Sequence, residues 1–201
     1  MIVGVLLAAG SAKRFGSQKL LARLPDGRSV IEAAAVTLRG QVDRVVAVIG
    51  RDEILGNLLE RMRCEVIVND RAIEGMGTSI AAGVTASADA AGWLIALGDM
   101  PYVRANTIHA VGATLSAAML QGKRIVVPMF DGKPGHPVGF SRDFADELRA
   151  LDGDRGARQI IETHRDVVTA LVVDDNGILL DIDTPADLAV RGSLPSLGTS
   201  D

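Results

Sequence analysis

The chain predicts an α/β fold around a largely parallel sheet, on two observations. Strand-length apolar runs and amphipathic helical segments alternate almost without interruption from Ile2 to Val127, after which the rhythm changes. Strand runs such as Ile2 to Leu7 and Arg44 to Ile49 are near-continuously apolar, as strands buried on both faces of a parallel sheet are. With 201 residues the chain can bury a sizeable core and still be one domain. That domain is expected over residues 1–191, with residues 192–201 (G-S-L-P-S-L-G-T-S-D) a loose tail.

The first strand, Ile2 to Leu7, breaks into a glycine-containing loop. Ser29, three residues before Glu32, is a capping-box signature that opens a helix to about Arg39. Arg44 to Ile49 is the second strand. Asp52 to Arg63 is an amphipathic helix with Ile54, Leu55, Leu58, Leu59 and Met62 on one face. A short strand, Glu65 to Val68, precedes an alanine-rich helix capped by Thr78 or Ser79 and running to about Ala88. Trp93 to Leu97 is the next strand, Asn106 to Gln121 the next helix, and Arg124 to Val127 another strand. Pro128 to Pro137 carries too much Pro and Gly for regular structure and reads as a hairpin or active-site loop. Helices are expected at Asp143–Leu151 and Ala157–His164. Strands at Val167–Val173 and Ile178–Ile182 flank Asn176-Gly177, a hairpin turn signal. Thr184-Pro185 supplies a cap and a first-turn proline for a helix to about Val190.

Composition narrows the function. A net charge of −4 argues against nucleic acid or an anionic membrane surface as partner. Within that acidic chain Lys13, Arg14, Lys19, Arg23 and Arg28 cluster with only Asp26 opposing them, a local cationic patch suited to a small anionic ligand. At 3% aromatic residues there is little to stack nucleic-acid bases on. No apolar run is long enough to span a bilayer, and Met1 leads straight into the first strand, leaving no room for a signal peptide. The single cysteine, Cys64, has no partner for an internal disulfide and is expected to pack as a small hydrophobe. A cytoplasmic enzyme or binding protein is the natural class.

The stretch from Val3 to Leu21 holds the first chemical motif. Gly10 and Gly16, with Lys13, Arg14 and Lys19 among small and polar residues, describe a polyphosphate cradle; a plain glycine-rich turn with solvated charges is the competing description. The Walker A pattern fails, since Gly10 and Gly16 are too far apart and Ser17 stands where its lysine should be. G-x-G-x-x-G fails too, because Ser11-Ala12 follow Gly10.

Carboxylates at strand ends come next. Asp99 follows the Trp93–Leu97 strand, where ligands of open α/β sheets sit, and an ionised carboxylate there suits Mg²⁺ held together with substrate phosphates. The competing role is a turn-forming Asp that satisfies loop N–H groups. Asp181 and Asp183 end another expected strand on one face, with a capping role beside Thr184-Pro185 the alternative for Asp183. Gly75-Met-Gly77-Thr78-Ser79 sets two glycines and two hydroxyls at a helix start, which suits a nucleobase edge or ribose; a flexible turn with a cap is the plainer account. His136 lacks the neighbours of a zinc site and reads either as a substrate-facing loop residue or as a turn residue. No G-x-S-x-G or Cys–His arrangement marks a covalent nucleophile, which fits phosphoryl-type chemistry.

With these motifs assembled, the chain resembles the MobA/MocA-type molybdenum cofactor nucleotidyltransferases, closest to the cytidylyltransferase branch. The matching segments are L-L-A-A-G…R-F-G-S-Q-K-L-L, G-M-G-T-S-I, L-G-D-M-P, G-H-P-V-G-F, G-D-R-G-A-R and D-I-D-T-P-A-D-L, in the family's order over residues 3 to 188. The resemblance implies a Rossmann-like three-layer αβα sandwich of the nucleotide-diphospho-sugar transferase type. It implies transfer of CMP from CTP to the phosphate of molybdopterin with release of pyrophosphate, Mg²⁺ as cofactor, and a molybdoenzyme or its chaperone as a partner. Leu7, Ala8, Ala9, Gly10, Arg14, Lys19, Gly75, Gly77, Thr78 and Ser79 would bind the nucleotide, and Arg14, Lys19 and Asp99 would act in catalysis. Asp99 and Asp183 would hold the metal, while Gly135, His136, Asp154 and Arg158 would frame the acceptor. Ala8-Ala9-Gly10, in place of the Ala-Gly-Gly of guanylyl enzymes, points to CTP over GTP. The same fold also serves isoprenoid and sugar phosphates as acceptors, and a non-catalytic nucleotide-binding partner of molybdoenzymes is the reading from another class.

Overall fold

The structure, a computed structural model, describes residues 1–10 and 19–190. The expectations for Lys13, Arg14 and Gly16 and for the tail fall outside the described residues. Eight strands form one sheet: β1 (Ile2–Ala8), β2 (Arg44–Ile49), β3 (Glu65–Val68), β4 (Gly92–Leu97), β5 (Ile125–Phe130), β6 (Lys133–Pro134), β7 (Val138–Ser141) and β8 (Val168–Val172). Their order is β3-β2-β1-β4-β7-β5-β6, with β8 on the other side of β5. β7 and β6 run against the remaining strands, so the sheet is mixed and mostly parallel.

Helices α1 (Val30–Arg39), α2 (Glu53–Arg61) and α4 (Ala105–Ala118) cover one face, and α3 (Met76–Ala86), α5 (Ala145–Arg149) and α6 (Arg158–Thr163) cover the other. The side-chain alternation of a strand decides which layer each residue joins. In β1, Leu6 and Ala8 pack with α1, while Val3, Val5 and Leu7 pack with Ile80 and Val84 of α3. A third, smaller cluster joins Leu24, Val30, Ala33 and Ile182, tying the segment before α1 to the segment before α7 (Pro185–Val190).

Three expectations give way here. Residues 178–182 form no strand: Asn176–Leu179 is a short 3-10 turn, and Asn176-Gly177 is no hairpin. Buried Asp175 overrides the local turn signal, accepting from the Gly177 N–H at 2.9 Å, the Arg104 N–H at 2.9 Å and the Thr107 hydroxyl at 2.6 Å. One carboxylate thus ties the start of α4 to a distant segment and pins the turn. The strand alternation assigned to Asp181 and Asp183 falls with it. Finally, Thr78 and Ser79 cap nothing: α3 begins at Met76, with Gly75 as its N-cap.

The capping box at α1 forms as its sequence implies. Glu32 accepts from the Ser29 N–H at 2.6 Å, and the Ser29 hydroxyl accepts from the Glu32 N–H at 3.3 Å. Hydrogen bonds from the Ser29 N–H and hydroxyl hold the Glu32 carboxyl below its ordinary 4.5. A depressed carboxyl pKa stabilises the fold above the unfolded value, and that contribution is lost as pH falls through the folded one. Glu32→Ala is expected to cost about 1 kcal/mol at pH 7. Denaturant unfolding at a series of pH values should show that cost shrinking as pH drops below 4.5.

Candidate active site

Sheet topology chooses the site. From β1 the chain crosses to β2 on one side, and from β3 it crosses back to β4 on the other, so the carboxyl ends of β1 and β4 border a topological switch point. The Gly98 N–H extends that pairing by donating to the Leu7 carbonyl at 2.8 Å, and Asp99 follows at once. Leu7 and Ala8 are buried in the core, so their side chains belong to packing, while Ala9 and exposed Gly10 carry the backbone out of the sheet.

Among the described residues, three charged side chains meet at this end. The Lys19 ammonium donates to Asp99 Oδ2 at 2.8 Å and to Asp183 Oδ1 at 3.0 Å. Its side chain is 14% exposed, against 25% for Asp99 and 49% for Asp183, so the lysine is the most enclosed member. Burial pulls the Lys19 pKa down, but the hydrogen bonds and charges of Asp99 and Asp183 outweigh it and the net shift is upward. The ammonium therefore stays charged between two carboxylates.

Each member is placed by packing. Lys19 opens a short turn, Lys19–Leu21, in which the Ala22 N–H donates to the Lys19 carbonyl at 3.1 Å and Leu20 and Leu21 pack on the core. Ile182 is fully buried against Leu24, Val30 and Ala33, and its N–H donates to the Asp99 carbonyl at 2.9 Å. That bond brings Asp183 to Asp99. Asp187 does the capping once open to Asp183, accepting from the Asp183 N–H at 3.0 Å and the Thr184 N–H at 2.8 Å. The T-x-x-D spacing from Thr184 to Asp187 is the local signal of this role.

His136 lies beside this centre. Its Nδ1 is 3.4 Å from the Ile95 carbonyl, and with Pro137 it borders a cavity of about 20 Å³ shared with Leu6, Leu38 and Met100. Burial lowers its pKa, against upward pulls from the Ile95 carbonyl and the Asp99 charge. A neutral ring donates to that carbonyl from Nδ1 and leaves Nε2 as an acceptor. Gly135 is a packing residue, since a Cβ there would run into the Ile178 backbone.

The G-M-G-T-S segment lies at the same pole of the sheet but turns its small residues elsewhere. Gly75 (φ 128°) and Gly77 press against the backbone of residues 152–154, and the Gly77 N–H donates to the Gly153 carbonyl at 2.9 Å. The Thr78 and Ser79 hydroxyls accept from Asn69 Nδ2 at 2.9 and 3.0 Å, and both are buried. Asn69 was not singled out from the sequence; a buried amide after an edge strand leaves no local pattern. Asp154 and Arg158 sit in and just after this second loop, with Arg158 paired to Glu162 at 2.9 Å. No hydrogen bond or ion pair among the described residues joins them to His136 or to the Lys19 centre.

Two oxygen donors converging on one cation describe a site that a divalent ion fits. Hard carboxylates suit Mg²⁺ or Mn²⁺, and the Lys19 ammonium stands where such a charge would lie. No cluster of three or more His, Cys, Asp or Glu occurs among the described residues, as suits an ion whose remaining ligands are substrate oxygens and water.

A mostly parallel α/β sheet thus places a charged Lys19–Asp99–Asp183 centre at its switch point. Residues 4–167 match the MobA-like NTP transferase domain, and the chain belongs to that family; it is a nucleotidyltransferase. It is 28% identical to the purine catabolism protein PucB of Bacillus subtilis over 92% of this chain and 93% of that one. It is 30% identical to the nicotine blue oxidoreductase of Paenarthrobacter nicotinovorans over 91% and 92%. It is 30% identical to a probable molybdenum cofactor guanylyltransferase of Geobacillus sp. (strain WCH70), over 51% and 52%. Among solved structures, Rv0371c of Mycobacterium tuberculosis in complex with manganese superposes with a TM-score of 0.72 at 27% identity, covering 94% of this chain and 96% of that one.

Two helical glycines, Gly77 at this pole and Gly112 toward the opposite one, test the packing. Alanine in place of a helical glycine gains up to about 1 kcal/mol of helix propensity. Gly112→Ala in α4, whose Cβ would meet nothing closer than Leu94 Cδ1 at 3.7 Å, is expected to be neutral or stabilising. Gly77→Ala, which would drive Cβ into the Asp152 backbone, is expected to destabilise by about 1–3 kcal/mol. Denaturant unfolding of the two variants reads the contrast.

Proposed function

We propose that this chain transfers CMP from CTP to the terminal phosphate of molybdopterin and releases pyrophosphate, with Mg²⁺ as cofactor. The observation that carries the reading is the Lys19–Asp99–Asp183 centre at the carboxyl ends of the strands. Asp99 and Asp183 would hold the ion, which when bound neutralises charge on the triphosphate oxygens. Lys19 adds a cation at the same place, and Arg14, outside the described residues, adds another from the sequence. The acceptor phosphate is already anionic and needs no general base, so a neutral His136 would serve the acceptor side only by accepting a hydrogen bond at Nε2. Gly135, Asp154 and Arg158 would complete that side.

The choice of nucleotide rests on Ala8-Ala9-Gly10. Molybdopterin as acceptor rests on the family resemblance and is supported by the name of the Geobacillus relative. That relative is a guanylyltransferase by name, which makes GTP the competing donor. Operation in the cytoplasm, beside a molybdoenzyme or its chaperone, follows from the same reading.

Incubating the protein with Mg²⁺, molybdopterin and each of CTP, GTP, ATP and UTP, and measuring pyrophosphate, tests it. CTP is expected to give the fastest release. Faster release with GTP would move the assignment to guanylyl transfer, and release only with a different phosphorylated acceptor would overturn it. Asp99→Asn is expected to lower turnover by at least about 10²-fold while the protein stays folded, as a cooperative unfolding transition would show.

A further inference from the structure

We infer that Lys19 is a resident counter-cation of the Asp99–Asp183 pair, and that nucleotide and metal bind together because the triphosphate draws this lysine off the carboxylates. The inference rests on the proposed metal role of Asp99 and Asp183. One ammonium donates to an oxygen of each carboxylate, at 2.8 and 3.0 Å, and its side chain is 14% exposed. Mg²⁺ holds carboxylate oxygens at about 2.0–2.1 Å, and two adjacent cations repel, so ion and ammonium cannot share the pair.

Displacement by the metal alone carries a penalty. It would strand an enclosed ammonium without either partner, and breaking such a pair from one side costs more than the pair contributes. A triphosphate at the end of β1 removes that penalty by offering the lysine new oxygens. The swing asks only for rotation about the bonds of the four-carbon stem, because the Lys19 backbone is fixed in its turn. Metal affinity is then low in nucleotide-free protein and rises when nucleotide arrives, which keeps bare metal from occupying the site.

Mn²⁺ binding to nucleotide-free protein, followed by the loss of the free-ion electron paramagnetic resonance signal, tests this without any acceptor or turnover. Lys19→Met and Lys19→Gln, which remove the competing charge, are expected to bind Mn²⁺ on the order of tenfold more tightly than wild type. Lys19→Arg, which keeps the charge, is expected to stay near wild type. Binding by the Met and Gln variants that is equal to or weaker than wild type overturns the inference. Adding Asp99→Asn to Lys19→Met separates the two ideas. If that double variant loses the site while Lys19→Met alone is no tighter than wild type, only the counter-cation inference falls. If the double variant binds as Lys19→Met does, the carboxylates hold no metal and the functional reading falls with it.

Discussion

An ammonium held between two carboxylates is the interaction on which the candidate site depends, because it joins three segments that share no local sequence. Lys19 lies 80 residues from Asp99 and 164 from Asp183. Two carboxylates brought this close repel unless a cation lies between them, and the lysine supplies it. Burial of Ile182 and its N–H bond to the Asp99 carbonyl fix the spacing, so an apolar residue sets the geometry of a charged centre.

The sheet gives that centre its place. β1 and β4 lie side by side where the parallel block β3-β2-β1-β4 meets antiparallel β7, and the chain leaves them in opposite directions, opening a crevice at their carboxyl ends. Around the same pole, the Gly75–Gly77 turn and residues 152–154 interlock backbone against backbone. The glycines are required there by close protein packing. The nucleotide-binding roles assigned to this segment would therefore act through backbone groups and neighbouring side chains, since Asn69 engages the Thr78 and Ser79 hydroxyls.

Much of this was legible in residue order, for physical reasons that also explain the errors. Apolar runs and capping signatures are local, so the strands through β4, the α1 capping box and the strand-end position of Asp99 could be read directly, whereas β5 runs on past Pro128 to Phe130, where Pro and Gly masked it. Asn176-Gly177 carried an equally local hairpin signal, yet the buried Asp175 carboxylate decided the outcome through partners on α4. Thr78 and Ser79 looked like caps because hydroxyls favour helix starts; the helix begins earlier because Gly75 and Gly77 dock on a loop far along the chain. Asp183 reads from the sequence as acidic chemistry beside a helix start, but only the fold shows that Asp187 takes the cap and that Asp183 meets Lys19. Ion pairing over such separations has no pattern in one sequence.

The central claim is that Lys19, Asp99 and Asp183 act as one unit, and a double-mutant cycle on turnover tests it most directly. Pyrophosphate release would be measured for wild type, Lys19→Ala, Asp183→Asn and the double variant with the productive nucleotide and acceptor. Residues that act as a unit are non-additive, so the double variant should lose little more than the worse single one. Losses that simply multiply, or an Asp183→Asn variant as active as wild type, would contradict the account.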